Sequence, residues 1–153
     1  MTMLTADELE DLGQGAPQDI VIATAVFDGD KVLLGESREK NIFSIPSGRL
    51  EDGETQKVCS LRTVWEETGI ACKNSVVVSI YDAYKKDEHK HYVTIGMIAD
   101  YHSGKITGQV GEQRLCWGWY PSKNVLQFPL SKTDKILMEH FLHSWAGKRD
   151  KNI

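Results

Sequence analysis

The chain has 153 residues, 41% of them hydrophobic and 26% charged, with a formal net charge of -4. That length holds a single domain whose core needs no disulfide or metal staple, and the acidic balance lacks the basic footprint of a protein that coats DNA or RNA. Cys59, Cys72 and Cys116 are too widely spaced for a CxxC site or a disulfide framework, which suits a reducing compartment.

Residues 1–18 read as a lead-in, with a short helix over Ala6 to Leu12 closed by Gly13, Gly15 and Pro17. The acidic start has neither the basic nor the apolar region of a signal peptide. No apolar run is long enough to cross a bilayer. A cytoplasmic protein with no membrane association is expected. The domain proper is read over residues 19–147. Ile20 to Phe27 is rich in β-branched residues and reads as a buried strand. Asp28-Gly29-Asp30 is a hairpin signal, and Lys31 to Gly35 returns. A charged loop from Ser37 to Asn41 leads to a short strand, Asn41 to Ile45, and a turn at Pro46-Ser47-Gly48. A helical pattern then runs to a Gly69 stop. Ser75 to Tyr84 and His91 to Tyr101 are longer strands joined by a polar connection, Lys85 to Lys90. The glycines between Tyr101 and Gly111 mark a loop. Leu115 to Tyr120 is an aromatic strand ended by Pro121. Ser131 caps a second amphipathic helix to Trp145, with Ile136, Leu137, Phe141 and Leu142 inward. Residues 148–153 form a tail. Mixed strands with two separated helices predict a sheet between helices.

The stretch from Gly48 to Ile70 carries the chemistry. At 100° per residue, Val58, Leu61, Val64 and Trp65 fall on one arc, and Arg62, Glu66 and Glu67 fall opposite. The expectation is an apolar arc docked on the core and carboxylates facing a cleft. Mg²⁺ takes hard oxygen ligands, usually carboxylates with water and substrate phosphate. A helix gives such carboxylates a rigid base, and a loop turning at Gly48 can add backbone carbonyls and bring Glu54 close.

The same stretch resembles the Nudix box, in which a glycine, five residues, a glutamate and seven residues precede Arg-Glu-apolar-x-Glu-Glu-x-Gly-apolar. Gly48, Glu54, Arg62, Val64, Glu66, Glu67, Gly69 and Ile70 all stand at that spacing. The order of elements from Ile20 to Trp145 is also similar to that family. The segments His91–Tyr101 and Gly111–Tyr120 look like its nucleoside triphosphate diphosphatase branch, of MutT type. The resemblance implies an α/β fold, a Nudix-type α/β/α sandwich with a mixed sheet between helices. It implies hydrolysis, dependent on Mg²⁺ or Mn²⁺, of a nucleoside diphosphate linked to a group X, most simply a nucleoside triphosphate cleaved to monophosphate and diphosphate. By the same resemblance Glu66 and Glu67 hold the metal, joined by the Gly48 backbone and by Glu112 outside the box. Arg62 braces the acidic cluster, Glu54 supports the loop, and Glu112 is a further candidate base. Two positions depart from the pattern. Thr63 stands where a glutamate is expected, at the centre of the acidic face, and brings a neutral hydroxyl. Ser47 stands where the turn more often has glycine. The first departure leaves two alternatives open: a nucleotide-binding module with weakened or no catalysis, and a nucleotide-sugar hydrolase.

Outside the box, Arg38 and Lys40 are candidates for contact with substrate phosphates, with surface charge as the equal alternative. Trp117 and Trp119 point to one face of a strand; core packing is favoured over base stacking, and Phe27, Tyr92 and Phe128 carry the same ambiguity. His89 and His91 read as solvated. Nothing around Cys59 activates a thiol. The expected partner is a small nucleotide, with no nucleic acid, and a homodimer is the base-rate expectation for the oligomeric state.

Overall fold

A computed structural model describes residues 18–85, 90–107 and 115–150. The expected helix over residues 6–12, His89, Glu112 and the last three residues lie outside them. The sheet is built on β1 (Gln18–Asp28). Ile22 to Phe27 are each at most 3% exposed, because helices cover both faces of this strand and its sequence is therefore apolar without alternation. Gly29, at φ 62, turns the chain into β2 (Lys31–Ser37), which pairs antiparallel with β1 at Phe27↔Val32. β2 in turn pairs with β3 (Ile42–Ser44) and β7 (Cys116–Pro121). Along its other edge β1 runs parallel to β6 (Lys90–Gly104), from Gln18↔His91 to Phe27↔Asp100. β6 is antiparallel to β5 (Ile70–Lys85), the last strand of the order β3-β2-β1-β6-β5. The short β4 (Ser47–Arg49) pairs with β1 at Val21 to Ala23.

Two helices sandwich this mixed sheet, as expected. Helix α1 (Gln56–Thr68) covers the face that carries Ile22, Val26, Leu33, Met97 and Ala99. Helix α2 (Lys132–Asp150) covers Ala23, Ala25, Phe27, Leu34 and Ile98 with Leu137, Met138 and Phe141. Ser131 accepts the Asp134 N–H at 3.1 Å, the anticipated cap. Gly96 makes room for α2, since a Cβ there would lie 2.8 Å from Leu137 and Phe141. Several boundaries differ from expectation. β5 starts directly after Gly69, β6 runs to Gly104, and α2 continues past Trp145 to Asp150. A 3-10 turn over Ser122–Gln127 follows β7. Among the described residues no helix is long and apolar enough to cross a membrane.

The largest correction concerns α1. Val58 and Trp65, expected inside, are 51% and 57% exposed. The residues it buries are Cys59, Ser60, Thr63, Val64 and Thr68. That face lies roughly 120° around the helix from the arc drawn on apolar residues alone. Thr63 is accordingly inside, at 3% exposure, rather than at the centre of an acidic surface.

Candidate active site

The site is assembled from the end of the β3–β4 turn, the loop after β4 and one side of α1. Pro46 closes the turn by accepting the Thr24 N–H at 2.9 Å, and Leu50 N–H donates to Ile20 O at 3.0 Å. β4 is thereby stitched flat onto β1. Ser47 sits in that strand opposite Ala23, outside the positive-φ positions of the chain, so a side chain there costs the backbone nothing and the departure from glycine is absorbed. Gly48 is needed for a different reason. A Cβ there would lie 2.2 Å from the Thr63 methyl Cγ2, so the missing side chain is what lets α1 lie against β4.

The loop that follows folds on itself. Glu54 Oε1 accepts the Glu51 N–H at 3.0 Å and Glu54 N–H donates to Glu51 O at 3.1 Å, with Gly53 at φ 84. Thr55 caps α1 by accepting the Val58 N–H at 3.1 Å. Gly69, at φ 82, ends the helix.

Arg62 ties the loop to the helix. Its Nε and Nη2 donate to the two oxygens of Glu54 at 2.6 and 2.8 Å, its Nη2 also reaches Arg49 O at 3.2 Å, and its Nη1 donates to Glu66 at 3.1 Å. This fork-to-fork pairing fixes orientation as well as charge. The Arg62 hydrogen bonds hold the Glu54 carboxyl down to about 2. Glu66 remains 59% exposed. Glu67 is half-buried on the adjoining side, where burial pushes its carboxyl up to about 7, against a hydrogen bond from the Ser47 backbone and with Glu66 adding repulsion. A desolvated carboxylate beside a second one, with no cation facing it among the described residues, is an electrostatic deficit that a positive ion would relieve. These hard oxygens suit Mg²⁺ or Mn²⁺, which complete their shells with water and phosphate. Among the described residues no group of three or more His, Cys, Asp or Glu side chains could hold a metal ion.

The structure thus brings together Gly48, Glu54, Arg62, Glu66 and Glu67. It does not bring in Arg38 and Lys40, which are exposed on the β2–β3 connection, where the Lys40 backbone N–H donates to Ser37 Oγ at 3.3 Å. Thr63 spends its hydroxyl inward, donating to Ser60 O at 3.3 Å. Trp117 and Trp119 are half-buried against Leu33, Val64 and Ile70, with Trp119 edge-on to Tyr101, so the core role holds. Phe27 is core, and Phe128 stacks with Phe43 and Tyr120. His91 pairs with Asp82. Burial pushes the Cys59 thiol up to about 11, the opposite of an activated nucleophile.

A loop-and-helix carboxylate site on a mixed sheet between two helices is the architecture of a Nudix hydrolase. The chain belongs to that family: the NUDIX domain matches residues 16–141. It is 26% identical over 124 residues to an ADP-ribose pyrophosphatase of Methanocaldococcus jannaschii, covering 78% of this chain and 68% of that one. It superposes on a mutator MutT protein from Bacillus halodurans with a TM-score of 0.72 and 31% identity over 82% of both chains. The fold also matches the ORF135 protein of E. coli, with a TM-score of 0.71 and 20% identity over 86% of this chain and 94% of that one.

Proposed function

We propose that the protein hydrolyses a nucleoside diphosphate linked to X, with a nucleoside triphosphate cleaved to monophosphate and diphosphate as the leading substrate. The observation that carries this is the half-buried Glu67 carboxyl next to Glu66, which the Arg62–Glu54 fork holds in place. Mg²⁺ or Mn²⁺ would be held by Glu66 and Glu67, with the Gly48 carbonyl and Glu112 as further ligands. When bound it supplies charge neutralisation for the diphosphate and lowers the pKa of a bound water. The rest is positioning. The Arg62 fork keeps Glu66 from swinging away and holds Arg49, next to Gly48 in β4, and the Glu54 loop in register with α1. The attacking water breaks the P–O bond to the diphosphate leaving group, and its proton goes to a carboxylate. The Thr63 hydroxyl has neither the basicity nor the orientation for that task, so Glu66, Glu67 or Glu112 accepts it.

The triphosphate reading follows from the sequence resemblance to the MutT-type branch, and the relative named for ADP-ribose makes a nucleoside diphosphate sugar the second substrate to try. The rival is a nucleotide-binding module, favoured by Thr63 alone. The variant Thr63→Glu separates them. In an enzyme that has replaced the missing carboxylate, the variant leaves turnover unchanged or lowers it by crowding Gly48. A rise on the order of 10²-fold or more would mark the native site as crippled. Tight nucleotide binding by calorimetry with no product would establish the binding module.

A further inference from the structure

Helix α1 faces the core with the wrong side, if apolar area were the only force. It leaves Val58 and Trp65 in water and buries Ser60 and Thr63. Something directional must hold that rotation, and a chain of hydroxyls does so. Ser60 Oγ, fully buried, lies 2.7 Å from Thr24 Oγ1 of β1 and 2.8 Å from Ser75 Oγ of β5. Ser75 Oγ continues to the Met97 sulfur at 3.9 Å. One hydroxyl on the helix is thus pinned between two strands of the sheet. Thr24 is also the residue whose backbone N–H holds Pro46. Its side chain therefore grips α1 while its main chain grips the turn before Ser47 and Gly48. Hydrogen bonds buried among apolar groups are costly to leave unmade, so turning α1 to bury Val58 and Trp65 would strand three hydroxyls. The same turn would carry Thr63 off Gly48, and with it Glu67, one turn further on the same face.

We propose that the Thr24–Ser60–Ser75 chain is a positioning lock, which sets the rotation of α1 against β4, where Thr63 meets Gly48, and so places Glu67, one turn further on the same face. Thr24 and Ser60 touch no substrate and act through Glu67. Their contribution to turnover rests on the functional reading above, but the lock itself is tested on the geometry.

Thr24→Val keeps the shape of the side chain and removes its hydroxyl, whereas Thr24→Ser keeps the hydroxyl and removes a methyl. The readouts are Mn²⁺ affinity by calorimetry, the backbone amide resonance of Ser47, and thermal stability. Thr24→Val is expected to bind Mn²⁺ about tenfold more weakly, the usual loss when a supporting partner of a metal ligand is removed, and to shift the Ser47 amide. Thr24→Ser is expected to keep both near wild type even where its melting temperature falls. A merely structural role predicts the reverse order, with the metal and amide signals following stability. If Thr24→Val does not fold, Ser75→Ala breaks the other end of the chain and is read the same way. Wild-type Mn²⁺ affinity with an unmoved Ser47 amide in the variant without the hydroxyl overturns the lock. If the wild type itself neither binds Mn²⁺ nor turns over nucleotide, the functional reading falls, and the Ser47 amide alone decides the lock.

Discussion

Replacing Gly48 with alanine places a methyl 2.2 Å from Thr63 Cγ2. Ordinary carbon contacts lie near 3.5–4.0 Å, so β4 and α1 must part by more than ~1 Å or Thr63 must leave its rotamer. Neither is free. β4 is stitched to β1 along Val21 to Ala23, and Thr63 is β-branched, with its hydroxyl bound to Ser60 O. Overpacking of this kind costs about 1–3 kcal/mol. For a chain of this size that lowers the melting temperature by roughly 3–10 °C. Thr63→Ala alone loses a methyl and one buried hydrogen bond, about 1 kcal/mol. The double variant should recover most of the clash, because the added methyl enters the space the threonine leaves. The cycle, measured by urea unfolding, is expected to show a coupling of about 1–2 kcal/mol. Strict additivity, or a Gly48→Ala variant as stable as wild type, would refute the claim that Gly48 is glycine for the approach of α1.

Three further outcomes follow from the geometry. Arg62→Lys keeps the charge but cannot span both Glu54 oxygens, Glu66 and Arg49 O together, so turnover should fall about 10–100-fold, with divalent-ion affinity falling in parallel; equal activity would show that the fork is dispensable. Asp134 is pushed by burial from the ordinary 3.8 to about 6, so its protonated form is favoured in the folded state. Its contribution to stability is full below about pH 4 and is lost as pH rises through 6, on the order of 3 kcal/mol; Asp134→Asn should therefore gain on wild type between pH 4 and 7 in parallel unfolding titrations, and a constant difference would contradict the burial argument. Arg38 is exposed outside the assembled site, so Arg38→Ala should leave KM and kcat unchanged; a raised KM with kcat unchanged would restore it as a phosphate contact equally strong in ground and transition states.

Much of this was legible in the sequence because it rests on local chemistry. The strand reading of Ile20 to Phe27, the Gly29 hairpin and the Ser131 cap are each determined by residues within a few positions of one another. So is the spacing that brings Glu54, Arg62 and Glu66 together. The face of α1 was not legible. Periodicity assumes that a helix packs by apolar area, and here the rotation follows hydrogen bonds from Ser60 to Thr24 and Ser75, 36 and 15 residues away in sequence. No local pattern distinguishes a buried serine that bridges two strands from one facing water. Thr63 was misplaced for the same reason. Its neighbours on the wheel are acidic, but its partner is Gly48, and the two are read as a pair only once the strand and helix are seen in contact.

Hydrolysis itself is the decisive measurement for this site. Purified protein is incubated with Mg²⁺ or Mn²⁺ and a panel of nucleoside triphosphates, ADP-ribose, nucleotide sugars and dinucleotides, and products are separated by ion-exchange chromatography. Metal-dependent release of a nucleoside monophosphate is expected, with diphosphate from the triphosphates, abolished by Glu67→Gln. No turnover of any of these compounds with either ion, from protein shown to be folded, would contradict it.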